Sequence, residues 1–430
     1  MEAVARARHA DLESWETALR AAVLHAGAVA LEEILQGIGM GRRDKPVLCA
    51  CGIQMESLGL KTKRLVTILG TVTYSRSLFQ CPVCKATCYP GDEELDVMGT
   101  GRSPALRRLM ARAGSKTTFK ESRDDLQIYA GITVSAKDVE RVAERTGEEM
   151  ERWLQRERAP LLKQEPPIHR QSEIPVLYVS YDGTGIPMMR EELVGRRGKQ
   201  TDGTARTREA KLGCIFTQTT IDEKGFPIRD PDSTTFVAAI EPSDQFANRI
   251  YAEAVRRGLY NAKRVVILGD AAEWIRTIAE EQFPGALHIV DLYHAREHVS
   301  NLCKVLFGPD LKQAVRHRIR WWTYLDEGKV ERIMQQAKAR LAVEGSDVET
   351  AQREIAFLEK NKERMRYKSF RAMGLFVGSG VTEAGCKTVI GQRMKQSGME
   401  WSLRGANAIL ALRSVFKSGR AEEYWEARSS

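Results

Sequence analysis

The stretch VLYVSYDGTG at residues 176–185 ends a mostly apolar run with an acid, Asp182, which is the pattern of a buried β-strand followed by a turn. RVVILGDAAEW at residues 264–274 repeats this form with Asp270, and GSGVTEAGCK at residues 378–387 places Glu383 at the start of a predicted helix. Carboxylates so placed can converge, and their oxygens suit Mg²⁺ or Mn²⁺. We therefore predict a catalytic two-metal site that acts on the phosphodiesters of nucleic acid.

Each of these acids alone also fits a structural role. A strand-end aspartate is commonly a turn former or a helix N-cap, and Asp182 and Asp270 could both be explained in this way. Glu383 would be favoured at a helix start by the helix dipole. The metal-site prediction therefore depends on the joint placement of the three residues.

The order of the predicted strands supports that joint placement. Three strands come first, and helices at 244–257 and 273–283 then alternate with two more; the strands are VLYVSY (176–181), KLGCIFTQ (211–218), TTFVAAI (234–240), RVVILG (264–269) and ALHIV (286–290). This order is expected of an RNase H-like mixed sheet, in which the first and fourth strands lie side by side. The predicted fold class is α/β, with this sheet interrupted by an all-helical insertion.

The N-terminal region predicts two helical elements. An amphipathic helix at about 10–38 would pack on its own domain or serve as a dimerisation or DNA-facing arm; its apolar residues are Leu12, Trp15, Leu19, Val23, Val29 and Ile34. Residues 119–150 form two helices around Gly131, which is the shape of a helix-turn-helix or of a plain helical hairpin. The second helix, at 136–150, would present three basic residues to a DNA groove: Lys137, Arg141 and Arg145.

The cysteines predict a zinc ribbon. Cys49 and Cys51 lie in CACG and Cys81 and Cys84 in CPVC, so two turns flanking a β-hairpin can supply the four ligands of a tetrahedral Zn²⁺ site. Cys88 is available as a substitute ligand, and buried free thiols are the alternative. The other three cysteines stand apart in apolar contexts and are predicted to be core or helix residues: Cys214, Cys303 and Cys386.

The predicted domain boundaries follow these elements. The clearest one is the proline-rich, polar stretch PLLKQEPPIHRQSEIP at 160–175. We predict an N-terminal helix at 1–42, a zinc-ribbon-like domain at 43–98, a helix-turn-helix-like DNA-binding domain at 99–160, a linker at 161–175, the first part of the catalytic domain at 176–298, the helical insertion at 299–373 and the C-terminal part of the catalytic domain at 374–430.

Composition sets outer limits on the function. The net charge of +9 over 430 residues and the pI of about 9.1 are compatible with a polyanionic partner without demanding one. The start of the chain lacks the apolar core of a signal peptide, and the longest apolar stretch, at 21–31, is too short to span a bilayer. We expect a soluble cytosolic protein with no membrane partner and no small-molecule substrate.

Several segments together resemble the bacterial insertion-sequence DDE transposases of the ISKra group, which are similar in turn to Mutator-like transposases. The segments are VSYDGTG, GDAAEW, DLYHAREH and the run from SGVTEAGCK to ANAILALRS, and the resemblance extends over nearly the whole chain, including CACG and CPVC. It implies an enzyme that cuts transposon ends and joins them to target DNA, with Asp182, Asp270 and Glu383 as its metal-binding triad. Double-stranded DNA and a homo-oligomer assembled on it are the implied partners, and the bacterial cytoplasm, in association with the nucleoid, is the implied location. CPVCKATC departs from the glycine-rich ending expected after the second cysteine pair.

The same resemblance directs attention to DLYH, in which Asp291 and His294 match a D-x-x-H element that follows the second acid. His294 is predicted to be catalytic, as a donor to the scissile phosphate, and His298 to be structural. An H-x-x-x-H zinc site and ordinary helix-start histidines remain alternatives for the pair.

Basic and aromatic residues complete the predicted DNA contacts. A hairpin between the first two strands could clamp phosphates or be a solvated loop, and it carries Arg196, Arg197, Lys199 and Arg206. Three residues after Glu383 could hold phosphates beside the cut, although the first could instead pair with Glu383: Lys387, Arg393 and Lys395. Trp321 in RHRIRWW could stack on an unpaired base or pack between helices.

Two other functions remain open. One is a DNA-binding regulator in which the zinc ribbon and the helix-turn-helix act and the α/β domain is inactive. The other is a metal-dependent hydrolase based on Asp291, His294 and His298. The presence of all three acids in the sequence speaks against an inactive domain.

Overall fold

The structure is a computed structural model, and it describes residues 11–39, 46–163, 173–198, 203–308, 311–341 and 347–429. The chain divides into two compact units, Met1–Thr146 and Gly147–Ser430. This division falls inside a helix, earlier than the linker predicted at 161–175, and most of that linker lies outside the described residues. Within the described ranges, no helix is both long and apolar enough to cross a membrane.

The first unit contains a long helix, a small antiparallel sheet and several further helices. Its elements are α1 (Leu12–Gly39), β1 (Glu56–Val66), β2 (Thr71–Gln80), β3 (Thr87–Cys88), α2 (Pro90–Glu94), α3 (Pro104–Lys116), α4 (Phe119–Ala130) and the start of α5 (Ala136–Leu162). The strand order is β1-β2-β3. The predicted hairpin between the two cysteine pairs is therefore present as β1 and β2.

The helix predicted at about 10–38 is present as α1, but its buried face is not the predicted one. Ala28 and Leu35 pack against Val72 and Tyr74 of β2. The apolar residues selected by their spacing are instead exposed: Leu12, Trp15, Leu19, Val23, Val29 and Ile34. The spacing identified a real helix but not the side that contacts the sheet, because small and medium-sized residues supply that contact.

Both helices of the predicted helix-turn-helix are present as α4 and α5. Gly131 ends α4 with a left-handed φ of 69°, a conformation that glycine adopts without strain. The Ser135 hydroxyl accepts a hydrogen bond from the Asp138 N–H at 3.0 Å. The side chains of Lys137 and Arg141 are 71% and 72% exposed. Their contact with DNA stays a prediction.

The second unit is built on a five-stranded mixed sheet. Its strands in chain order are β4 (Ile174–Pro187), β5 (Thr207–Gln218), β6 (Thr220–Ile221), β7 (Pro227–Ile228), β8 (Thr235–Ala239), β9 (Ala262–Gly269) and β10 (Leu287–Val290). The order across the sheet is β10-β9-β4-β5-β8, and β6 and β7 form a separate small hairpin that was not predicted. β5 is antiparallel to β4 and β8, whereas β9 is parallel to β4 and β10. The first and fourth predicted strands are neighbours, as expected.

Alternation along β4 separates the two faces of the sheet. Leu177, Val179 and Tyr181 belong to one apolar core with α6 (Ser243–Arg256) and α7 (Glu273–Gln282). Val176 and Tyr178 belong to the other core, with the helices that follow β10. Ser180 and Asp182 continue the alternation of Val176 and Tyr178, so their side chains lie on this second face.

The segment predicted as helical at 299–373 consists of helices joined by short turns in the residues that the structure describes. Its helices are α8 (Leu292–Phe307), α9 (Leu311–Asp326), α10 (Val330–Leu341), α11 (Val348–Asn361) and α12 (Tyr367–Ala372). They share one apolar core with Val176, Tyr178 and Phe216 of the sheet. The chain ends with α13 (Gly380–Gly385), a π-helical turn (Cys386–Gly391), α14 (Gln392–Met394), α15 (Leu403–Lys417) and α16 (Ala421–Ser429); 3₁₀ turns lie at Arg190–Leu193, Leu259–Asn261 and Lys362–Met365.

Candidate functional site

Two of the three predicted acids lie just beyond the last paired residues of two adjacent parallel strands. Asp270 directly follows β9, but Asp182 lies inside β4, which continues to Pro187 and still pairs with β5 at this position, so the strand end and turn predicted at Asp182 are wrong. The register pairs Ser180 of β4 with Leu268 of β9, and Asp182 and Asp270 follow these residues by two positions each. Both side chains are half-buried. Asp182 Oδ1 accepts a hydrogen bond from the Gly183 N–H at 2.6 Å, and Asp270 Oδ1 accepts one from the Ala272 N–H at 2.8 Å. Asp270 thus forms a turn before α7 and is not its N-cap, which is Ala272.

The electrostatics of this pair favour a cation. Burial raises the pKa of Asp182 above its ordinary value of 3.8, and the Asp270 carboxylate raises that pKa further. Neither acid forms an ion pair with any basic side chain in the part of the chain that the structure describes. Two neighbouring carboxylates without a basic partner fit the oxygen-rich, anionic donor set that Mg²⁺ or Mn²⁺ requires.

The helix that carries Glu383 packs on the same face of the sheet as Asp182. The buried Thr382 hydroxyl hydrogen-bonds to the Ser180 hydroxyl of β4. A Cβ at Gly385 would lie 2.8 Å from Leu212 Cδ2 and 3.0 Å from Cys214 Sγ of β5. The absence of a side chain at residue 385 therefore allows α13 to approach the sheet closely.

The Glu383 carboxylate itself points to a basic neighbour. It forms an ion pair with Lys387 Nζ at 2.7 Å, and the two side chains are 64% and 73% exposed. Among the described residues, the one group of three or more potential metal-ligand side chains within 4.8 Å of each other is a cysteine group. Glu383 therefore does not meet Asp182 and Asp270 in this conformation. Convergence requires its exposed side chain to leave Lys387 and rotate.

Cys386 links the Glu383 helix to the aspartate pair. Its Sγ lies 3.7 Å from Asp182 Oδ2 and donates a hydrogen bond to it. Burial, with the Asp182 carboxylate nearby, raises the pKa of the Cys386 thiol to about 12, so this sulfur keeps its proton at neutral pH. The sequence predicted only a core or helix residue here. Its position three residues after Glu383, on the same helix face, was the signal that could have identified it.

Asp291 joins the strand end at Asp270 to the start of the Glu383 helix. Its carboxylate accepts hydrogen bonds from the His294 N–H at 2.7 Å and the Ser379 N–H at 2.5 Å. Its own N–H donates to the Gly269 carbonyl at 2.7 Å. Asp291 is only 5% exposed. It therefore holds in place the backbone that precedes both Asp270 and Glu383.

A π-helical turn follows α13 directly and spans Cys386–Gly391. The buried Arg413 of α15 donates from its guanidinium to the carbonyls of Thr388 and Val389 inside this turn. Such turns are rare and often lie at functional sites. No sequence pattern predicted this one.

His294 lies in a cluster with other residues of the helical segment. Its ring contacts His298 and Phe357, and its Nδ1 lies 4.0 Å from Glu297 Oε2. None of its described contacts involves Asp182, Asp270 or Glu383. The role of His294 as a donor to the scissile phosphate therefore stays a prediction.

The predicted DNA-binding residues fall into exposed and buried sets. Arg196, Arg197 and Arg206 are exposed on the hairpin between β4 and β5, where Arg197 bridges to Thr204. Lys199 lies outside the described residues. Lys395 is exposed, and its Nζ bonds to the Thr184 hydroxyl, two residues beyond Asp182.

Two of the predicted DNA contacts need correction. Arg393 has no exposed surface and lies over the Trp401 ring, 4.9 Å from the ring centroid. Trp321 is also fully buried, and its Nε1–H donates to Gln336 Oε1 at 2.8 Å. The DNA contact is wrong for both residues in this conformation, because neither side chain reaches the surface. For Trp321 the structure shows the stated alternative, packing between helices.

The four predicted zinc ligands form a single cluster in the first unit. Cys49 and Cys84 sulfurs lie 3.4 Å apart and those of Cys51 and Cys81 3.6 Å apart, and all four lie within 4.8 Å of one another. Four thiolates about 2.3 Å from a tetrahedral Zn²⁺ would be separated by similar distances. The Cys84 N–H lowers the pKa of the Cys81 thiol to about 6. Cys88 lies outside this cluster, against Met55 Sδ at 3.6 Å.

Comparisons with known proteins found similarity to one family over part of the chain. Residues 245–428 match the Uncharacterised protein family (UPF0236). A relative from Streptococcus gallolyticus, the UPF0236 protein in vanSb 3'region, is 21% identical over 394 residues, which cover 89% of this chain and 79% of the relative. The solved Drosophila P element transposase strand transfer complex aligns with 79% of this chain and 85% of its own chain, at 11% identity and a TM-score of 0.25. The predicted ISKra assignment stays a prediction.

Proposed function

We propose that this chain is a DDE-type DNA transposase of the ISKra kind, with an RNase H-like catalytic domain. The observation that carries the proposal is the placement of Asp182 and Asp270 side by side, just beyond the last residues that pair the parallel strands β4 and β9, without a basic partner among the described residues. The packing of the Glu383 helix on the same face supports it. The order β10-β9-β4-β5-β8 is the arrangement expected of an RNase H-like sheet.

The reaction is in-line phosphoryl transfer. Water first attacks the phosphorus at the transposon end, and the 3′-oxygen of the transposon strand leaves and takes up a proton. This 3′-hydroxyl then attacks a phosphorus of the target DNA, and the target strand's own 3′-oxygen leaves. Asp182 and Asp270 would hold the divalent ions, and Glu383 would join them after release from Lys387. Bound Mg²⁺ or Mn²⁺ would supply charge stabilisation of the phosphate and activation of the attacking oxygen. Cys386 orients Asp182 through its thiol proton, and Asp291 fixes the backbone of the other two acids. Lys387, once free of Glu383, becomes available to a phosphate.

DNA binding would involve surfaces beyond these acids. Lys395 lies beside Thr184 near the aspartate pair and can contact the DNA backbone there. Arg196, Arg197 and Arg206 can clamp the backbone from the β4–β5 hairpin, which would make binding strongly dependent on salt. The cysteine cluster would hold a structural Zn²⁺. The partners are the double-stranded DNA of the transposon ends and of the target. A homo-oligomer binds them in the bacterial cytoplasm.

The test is magnesium-dependent nicking of a supercoiled plasmid that carries the DNA flanking the gene. We expect Asp182→Asn, Asp270→Asn and Glu383→Gln each to abolish nicking while leaving DNA binding in a mobility-shift assay largely intact. Asp244→Asn, which changes an exposed aspartate at the start of α6, is the matched control and should nick as wild type does. Full activity in any triad variant removes that residue from the site. DNA binding without nicking by the wild-type protein would favour the alternative function, a DNA-binding regulator with an inactive α/β domain.

A further inference from the structure

The imidazoles of His294 and His298 face each other across one turn of α8. Their Nε2 atoms lie 3.3 Å apart, and their ring planes are inclined by 83°. The sequence from 294 to 298 reads His-Ala-Arg-Glu-His. Histidines four residues apart on a helix share one face, which is how several zinc sites present two imidazole ligands.

The outer nitrogen of His298 has a carboxylate partner. His298 Nδ1 lies 2.5 Å from Glu354 Oε2 of α11, and the side chain of Glu354 is only 14% exposed. The ring of His298 also stacks on Phe357, with centroids 3.5 Å apart. These contacts fix the ring orientation. Because an ionised carboxylate only accepts hydrogen bonds, the proton of a neutral His298 lies on Nδ1 and the lone pair of Nε2 faces His294.

We propose that His294 and His298 bind one divalent transition-metal ion through their Nε2 atoms. Two imidazole nitrogens about 2.0–2.1 Å from a tetrahedral ion are separated by about 3.3 Å, and the observed separation matches this value. A histidine ligand typically donates its other ring N–H to a carboxylate, as His298 does to Glu354. Imidazole ligands select Zn²⁺, Co²⁺, Ni²⁺ or Cu²⁺ over Mg²⁺.

The site would be open to other ligands. The side chains of His294 and His298 are 31% and 25% exposed, so water can complete the coordination. Glu297 is 71% exposed and lies toward Nδ1 of His294, on the side away from the two Nε2 atoms. It is therefore not placed as the general base of a zinc protease. Through His298 and Glu354, the bound ion would link the first two turns of α8 to α11.

The test is a Co²⁺ titration of full-length protein with its cysteine cluster loaded with Zn²⁺, in excess Mg²⁺ to occupy carboxylate sites. We expect one equivalent of Co²⁺ to bind with visible d–d absorption and without thiolate-to-metal charge transfer. His294→Ala and His298→Ala should abolish this binding, and Glu354→Gln should weaken it by about 10–100-fold. His25→Ala changes an exposed histidine of α1 and should bind as wild type does.

Circular dichroism of each variant separates loss of the site from loss of the fold. Glu354→Gln keeps both histidines, so a weakened but measurable Co²⁺ affinity in this variant identifies the carboxylate as the orienting group. Uptake that persists in both histidine variants overturns the proposal. Absence of uptake by the wild-type protein also overturns it, because the pair is then a simple N–H···N hydrogen bond.

Discussion

The buried carboxylate of Asp291 accepts a hydrogen bond from the Ser379 N–H at 2.5 Å, across 88 residues of sequence. The Asp291 N–H donates in the opposite direction to Gly269, the residue before Asp270. Asp291 therefore connects Gly269, the residue before Asp270, with Ser379, four residues before Glu383. Asp291 is a positioning residue in the proposed mechanism, since it contacts neither substrate nor metal.

Asp291→Ala should reduce the nicking rate strongly, because it leaves the Ser379 and His294 N–H groups without their acceptor. Displacement of a catalytic group by about 1 Å can cost about 100-fold in rate. We expect kcat to fall by about that factor while the Kd for DNA changes little. Asp291→Asn keeps an acceptor oxygen and should recover part of the rate. Wild-type rates in both variants would show that this connection does not position the acids.

Asp182→Asn should stabilise the metal-free protein at neutral pH. The raised pKa means that the folded state binds the Asp182 proton more tightly than the unfolded state does. Ionisation of Asp182 therefore lowers the stability of the folded protein. This loss is absent below about pH 3.8, grows as the pH rises from there to the raised pKa of the folded state, and is constant above that pKa. The asparagine variant does not ionise and should therefore unfold at a higher melting temperature than the wild-type protein at pH 7.

Thermal unfolding without divalent ions, repeated across this pH range, measures that difference. It should shrink toward pH 3.8 and below, where wild-type Asp182 carries its proton. Added Mg²⁺ should raise the melting temperature of the wild-type protein but not of Asp182→Asn. An equal Mg²⁺ effect on both proteins would place the cation elsewhere.

Lys387→Gln should increase the affinity for Mg²⁺ by a few-fold, because Glu383 no longer has to leave an ion pair to reach the metal. The pair is exposed and should contribute less than about 0.5 kcal/mol to stability, so the melting temperature should hardly change. The measurement is the Mg²⁺ concentration for half-maximal nicking. Lys360→Gln removes another exposed lysine with a glutamate partner, Glu273, and should leave that concentration unchanged. A higher Mg²⁺ requirement in Lys387→Gln would contradict the competition between Lys387 and the metal.

Cys81→Ser should release zinc and destabilise the first unit, because a structural Zn²⁺ contributes its binding free energy to folding. Cys88→Ser is the matched control, since Cys88 lies outside the four-sulfur cluster. Elemental analysis should find about one zinc fewer per chain in Cys81→Ser and no loss in Cys88→Ser. If the zinc content fell only in Cys88→Ser, then Cys88 and not Cys81 would be the zinc ligand.

Trp321→Ala should destabilise the second unit by about 3–5 kcal/mol, as expected for removal of a fully buried aromatic side chain. Ile319→Ala, two residues earlier and 58% exposed, should change stability by less than about 0.5 kcal/mol. Denaturant unfolding, followed by far-ultraviolet circular dichroism, measures the free energy of unfolding of both variants. Equal stabilities would show that Trp321 is not a core residue.

Much of the sheet could be predicted from the sequence, because most strands are short apolar runs that end in turn residues. β4 is an exception, since it continues through Asp182 to Pro187, where pairing with β5 overrides the local turn pattern. The order of strands and helices also indicated that β4 and β9 are neighbours, which brings Asp182 and Asp270 together. The cysteine pairs were equally informative, since a C-x-C and a C-x-x-C turn leave few ways to arrange four sulfurs. The apolar runs and the cysteine turns are short-range patterns, so the structures they form depend mainly on neighbouring residues.

The features that the sequence did not predict depend on tertiary contacts. Arg393 and Trp321 have the residue types of DNA-contacting side chains, but the neighbouring helices bury both. The pairing of Glu383 with Lys387 was recognised as an option, and only the structure selects it. The contacts of Cys386 with Asp182 and of Asp291 with Ser379 join residues 204 and 88 positions apart, and no periodicity reports such distances.

The π-helical turn at Cys386–Gly391 holds one residue more than the α-helical turn it replaces. Deleting one residue would therefore restore an ordinary α-helix and leave the segments before and after it near their present orientation. Arg393 and Met394 would keep their buried positions. The change would fall on Arg413, whose guanidinium donates to the carbonyls of Thr388 and Val389 inside this turn. The extra residue thus shapes the backbone that receives Arg413.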